Sequence, residues 1–225
     1  MRTQALFLML ALTAGFAAVP MAAQSDLYNN GPINGDIDAY TINNGYVVSD
    51  TFTLTSSSAV NGMVFGAWVY PGDVLQTAEV SLTSSPDGGT TYFDQTVSFT
   101  QSNCGTGSFG LYYCTETTSF SPVQMSAGTY WLNIQNASVP DGDPVYWDEN
   151  RGEGCTSPGC PSEGYDTYGN PSRAPIGFGS IPSESFTILG SAGGGSTPEP
   201  SSLLLFGSGV VGVVGWLRRN GRRPC

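Results

Sequence analysis

The sequence predicts an all-β domain, an antiparallel two-sheet sandwich of jelly-roll type, set between two short apolar segments at the chain ends. Three observations carry this. Between Gln24 and Gly190 no amphipathic helix exceeds two turns; short runs of alternating apolar and polar residues recur; and Gly, Pro, Asn and Ser clusters separate them. Seven to nine short strands at this spacing suit a sandwich in which each strand has one buried and one wet face. No fixed period appears, which argues against a solenoid or propeller.

Taken in order, Met1–Gln4 gives a short positive start, Ala5–Ala18 an apolar run, and Pro20 through Ala23 a break with small residues. This is the plan of a secretory signal peptide over 1–23, and the run is too short to span a membrane comfortably. The expected strands of the 24–190 domain follow. Phe52 and Leu54 alternate in SDTFTLT, and Met63–Tyr70 is nearly all apolar, as in a central strand. Ala78, Val80 and Leu82 share one face, as do Phe93, Gln95, Val97 and Phe99, then Tyr130, Leu132 and Ile134, and finally Phe186 and Ile188. Turns fall at Tyr70-Pro71-Gly72-Asp73, Pro86–Gly89 and Ser126–Gly128. Residues 191–197 form a Gly/Ser linker; the rest, 198–225, is a tail whose apolar stretch, about 201–217, has the minimum length of a transmembrane helix.

Charge narrows the function. Lys and His are absent, and residues 24–197 hold 17 acids against Arg151 and Arg173, a net of −15. Such a domain repels nucleic acid and anionic lipid. Without His or Lys there is no Ser-His or Cys-His nucleophile pair, no imidazole metal site and no Schiff-base amine. An enzyme built from this inventory works with carboxylates, Tyr or Arg.

At the C-terminus Pro198-Glu199-Pro200 precedes the apolar stretch, and Arg218, Arg219, Arg222 and Arg223 follow it. The two prolines hold the motif extended, and the basic cluster retains the tail in the cytoplasm. Motif, helix and basic cluster together resemble the PEP-CTERM sorting signal of bacterial surface proteins. The resemblance implies recognition by exosortase, an integral-membrane transpeptidase, with the precursor in the inner membrane and the mature protein at the cell surface or in the extracellular matrix. The run from TFTLT through GAWVYPGD to VYWDEN also looks like the extracellular domain of some PEP-CTERM proteins, which implies a sandwich and no activity.

Cys104, Cys114, Cys155 and Cys160 are an even set in an exported domain, so disulfides are expected. Of three possible connectivities the local pairs are preferred, and a bridge between Cys104 and Cys114 would stabilise by about 2–3 kcal/mol. Cys225 is left over on the cytoplasmic side. Residues 140–184 resist strand assignment after Val145-Tyr146-Trp147; a long stapled loop of this kind is the place to expect recognition.

Two further sets of residues are candidates. Asp141, Asp143, Asp148 and Glu149 are hard oxygen donors suited to calcium, though without EF-hand spacing; no other cofactor is expected. Trp131 and Trp147 are candidates for stacking on sugar rings, while Trp68, in its apolar run, reads as core. Glycoside hydrolysis needs two facing carboxylates; Glu79, Glu116, Asp148 and Glu149 stand near strands and nothing singles out a pair. The sequence thus predicts an exported, exosortase-sorted, non-catalytic sandwich that binds carbohydrate or matrix. The alternative is a carboxylate-based hydrolase or lyase acting on extracellular polysaccharide.

Overall fold

The structure, a computed structural model, describes residues 24–35, 38–86, 88–150, 162–166, 175–176 and 183–193. The signal peptide 1–23, most of the linker, the tail 198–225, the Cys155 and Cys160 pair and both arginines of the domain lie outside the described residues. No described helix is long and apolar enough to cross a membrane.

The described residues form thirteen strands and one 3-10 turn. β1 (Ser25–Asn29), β2 (Ala39–Thr41), β4 (Ser58–Val69), β7 (Thr100–Thr106), β8 (Tyr112–Met125), β10 (Tyr146–Asp148) and β13 (Phe186–Ala192) make one sheet. β3 (Tyr46–Leu54), β5 (Thr77–Ser85), β6 (Gly88–Ser98), β9 (Gly128–Ser138), β11 (Glu163–Asp166) and β12 (Pro175–Ile176) make the other. All pairings are antiparallel. In the first sheet β8 runs along one side of β4, with β7 beyond it. The other side of β4 is shared end to end by β13 and β10, which continue outward to β1 and β2. The second sheet runs β12-β11-β3-β9-β5-β6. The apolar run is central because β4 has a paired strand on each side, β8 on one and β13 and β10 on the other, and the all-β sandwich expected from the alternation is present.

Inward-facing positions of both sheets make one core. Phe52, Met63, Phe65, Leu82, Leu132, Ile134, Trp147 and Phe186 are almost wholly buried. Rings meet across the sheets: Tyr28 on β1 lies 6.3 Å from Phe52 on β3, and Phe93 on β6 stacks on Phe120 of β8 at 4.2 Å. Such pairs add about 0.5–1.5 kcal/mol each beyond the area they bury.

One expectation is met here and one changes. The stretch between Cys104 and Cys114 is the tip of the β7–β8 hairpin: Cys104 lies in β7, Cys114 in β8, and the two are bridged. The 140–184 segment also carries short strands, for Glu163–Asp166 pairs with β3.

Candidate functional site

At one end of the first sheet the register sets Tyr146 opposite Trp68 and Trp147 opposite Ala67. Alternation then sends Trp147 inward and Trp68 outward. Trp147 has no exposed surface; it packs edge-on to Phe65 and Phe186, and its indole N–H donates to the Ser185 carbonyl at 3.0 Å. It is a core residue, which corrects its assignment as a ligand-stacking ring. Trp131 stands half-buried on the outer face of the second sheet, between Thr51 and Thr83 of the neighbouring strands.

Trp68 is buried on the outer face of its sheet, outside the core. Its Nε1–H donates to Asp148 Oδ1 at 2.6 Å. Asp148 also accepts the backbone N–H groups of Asn34 (3.0 Å) and Gly35 (2.9 Å) and the Ser185 hydroxyl (3.0 Å). The Asn30–Gly35 segment is thereby laid over the sheet. Gly66 lets it come close: a Cβ there would stand 2.8 Å from Ile33 Cγ2 of the segment, and 2.7 Å from Asp148 Cβ beneath it.

Beside this seam lies a cleft of about 200 Å³ lined by Asp38, Ala39, Trp68, Tyr70, Phe109, Leu111 and Tyr146. Its rim is aromatic and open: Phe109 is 80% exposed and Tyr70 40%, with Val74 and Tyr112 also exposed nearby in sequence. Phe109 sits 6.3 Å from Trp68, ring to ring, and holds φ 58 in the left-handed region. A bulky residue in that region costs about 1–3 kcal/mol and persists where its surroundings fix it. Here the fixing is supplied by the Cys104–Cys114 bridge and by the Gly107 N–H donating to the Leu111 carbonyl at 2.9 Å. Burial, then the neighbouring Tyr70 hydroxyl and Asp143, push the Tyr146 phenol up.

The four acids expected to share a cation do not meet. β10 separates them, Asp143 preceding the strand and Asp148 ending it, and three strand residues span roughly 10 Å. Asp148 is committed to its four donors. Glu149 is fully buried and forms an isolated antiparallel bridge with Glu184. Asp141 and Asp143 instead join Asp73, from the turn after β4, with one carboxylate oxygen of each within 4.8 Å of the other two. Asp73 was legible only as a turn residue.

A second acidic region lies inside the same end of the sandwich. Asp50 on β3 accepts from Asn30 Nδ2 (3.1 Å), the Ser183 hydroxyl (3.0 Å), the Glu184 N–H (2.7 Å) and the Thr51 N–H (2.6 Å). Burial pushes Asp50 up to about 7 against those four donors. Glu149 is pushed up to about 8 by burial, then by Asp38 and Asp148. Glu184 rises well above the carboxylate range through burial and then Glu149, although Ser162 donates to its Oε1 at 2.7 Å. Glu116, on β8, reaches about 8 by burial alone. None of these core acids lines the cleft.

The fold and cleft thus define an acidic β-sandwich with an aromatic surface site. Residues 196–219 match the family model of the PEP-CTERM protein-sorting motif. The chain therefore carries the signal of an exosortase-sorted protein, which is exported and held in the membrane before sorting. No curated protein matches the chain.

Proposed function

We propose that the mature protein stands at the cell surface or in the extracellular matrix, and that its sandwich is a non-catalytic module binding a neutral polysaccharide in the aromatic cleft. The observation that carries this is Phe109, 80% exposed and held at a disfavoured φ over a cleft whose other walls include Tyr70, Tyr146 and Trp68. Open aromatic rings beside one polar group, here Asp38, suit a sugar ring, which offers an apolar C–H face and hydroxyl edges. The net charge of −15 over residues 24–197 disfavours polyanionic chains. The alternative, a carboxylate-based hydrolase or lyase, needs two acids facing the substrate; among the described residues the cleft presents Asp38 alone.

The test is a glycan array of neutral and acidic polysaccharides probed with the full chain, with and without calcium. Retention of a neutral glycan, weakened about tenfold (about 1.4 kcal/mol) by Phe109→Ala, is expected. Phe109 is exposed, so that substitution leaves the fold intact. Equal binding by Phe109→Ala, or retention of no neutral glycan, overturns the reading.

A further inference from the structure

We propose that Asp73, Asp141 and Asp143 bind a divalent cation of the calcium class, which ties the turn after β4 to the turn before β10. Three observations converge. One oxygen of each carboxylate lies within 4.8 Å of the other two, close enough for a single ion with oxygen ligands at about 2.3–2.6 Å to draw all three onto itself. Asp73 is more than nine-tenths buried, and its Oδ2 is wholly buried with no hydrogen-bond partner among the described residues. That orphaned carboxylate faces the other two. Third, the described residues include no Arg, Lys or His, so no protein cation among them offsets the three acids.

The scaffold holds the carboxylates in place before any ion arrives. The Asp73 N–H donates to the Tyr70 carbonyl at 3.0 Å, and its carbonyl accepts from Gln101 Nε2 at 3.1 Å. Gln101 Oε1 in turn accepts the Leu75 N–H at 3.1 Å, so one side chain grips both ends of the turn. On the other loop Asn43 Nδ2 donates to the Asp143 carbonyl at 2.9 Å, and its Oδ1 accepts the Val145 N–H at 3.2 Å. Gly72 and Gly142, at φ 103 and φ 81, give each turn the left-handed residue it needs. Tyr70, at the start of the first turn, and Tyr146, the first residue of β10 after the second, also line the aromatic cleft. An ion here braces that cleft, whether or not the cleft takes a sugar.

The experiment is calcium titration of the full chain, solubilised in detergent and stripped with EGTA, followed by calorimetry. Terbium luminescence excited through tyrosine reports the ion's nearness to Tyr70 and Tyr146. One saturable site is expected, with a Kd between about 10⁻⁶ and 10⁻³ M. Asp73→Asn and Asp141→Asn should each weaken it at least about tenfold, while Asp94→Asn, an acid on β6, leaves it unchanged. Asp141 lies in an exposed turn, so its variant folds even if the Asp73 variant does not. No saturation up to about 10 mM calcium, or unchanged binding in Asp141→Asn, overturns the proposal.

Discussion

Two acidic regions share one end of this sandwich and solve the same problem in opposite ways. Inside, Asp50 and Asp148 each accept four hydrogen bonds from groups that converge on them, while among the described residues neither oxygen of Glu116 or Glu149 has a partner. At the rim, three aspartates face each other with no cationic side chain among the described residues beside them. Burial disfavours a charge wherever it sits. What differs is what offsets it: convergent donors for Asp50 and Asp148, a proton for Glu116 and Glu149, and the proposed ion for the rim.

The largest effect should come from deleting an acceptor on which donors converge. Asp148→Ala orphans the N–H groups of Asn34 and Gly35, the Trp68 indole N–H and the Ser185 hydroxyl. Each buried orphan costs about 1–3 kcal/mol, so unfolding free energy should fall by more than about 4 kcal/mol, close to the whole stability of a small domain. Urea unfolding followed by circular dichroism measures it. A loss below about 1 kcal/mol would mean that these donors find water and that Asp148 does not pin the covering segment.

Next in size is the pH dependence of the buried acids that folding raises. Glu116 and Glu149 move from 4.5 to about 8 on folding, and Asp50 from 3.8 to about 7. Between those values the folded state holds more protons than the unfolded chain, so raising the pH favours unfolding. Stability should be greatest near pH 4, fall through pH 7 to 8, and level off above. Each group contributes up to about 1.4 kcal/mol per pH unit inside its window. Glu116→Gln tests one group alone. At pH 7 it should stabilise by about 2–3 kcal/mol and flatten the profile, because the amide keeps the shape and cannot ionise. A profile unchanged from the parent would show that Glu116 is ionised in the folded protein.

How much of this was readable in the sequence follows from what each element buries. β3, β4, β5, β6, β9 and β13 bury Phe, Leu, Val and Ile on alternate positions, and the alternation revealed them. β8, fourteen residues long, stayed hidden because it turns Cys114, Glu116 and Thr118 inward and carries Pro122. Pro122 is tolerated because the register jumps there, from Val60 opposite Val123 to Gly62 opposite Ser119. Trp147 was misread as a ligand ring because a three-residue strand shows too little alternation to reveal its inward face. The cleft and the rim join residues far apart in the chain, such as Asp73 with Asp141. Local pattern placed Asp73 in a turn and carried nothing about which other turn it would meet.

The smallest effect is the one that separates the two regions most sharply, because it turns on sign. Inside, replacing Asp148 by Asn leaves an amide N–H₂ facing some of four donors, so stability falls at any calcium level. At the rim, Asp141→Asn removes one of three mutually repelling carboxylates while keeping an oxygen for the Asp143 N–H, now 3.4 Å away. In EGTA and low salt this variant should therefore be more stable than the parent by about 0.5 kcal/mol, the usual size of an exposed charge pair, and 1 M NaCl should erase the gain by screening. In saturating calcium the order should reverse, because the parent gains RT ln(1 + [L]/Kd) and the variant, binding at least about tenfold more weakly, gains about 1.4 kcal/mol less. Thermal unfolding of both chains in EGTA and in calcium reads the crossing. Parallel curves with no crossing would leave the rim an ordinary acidic turn, held apart by water.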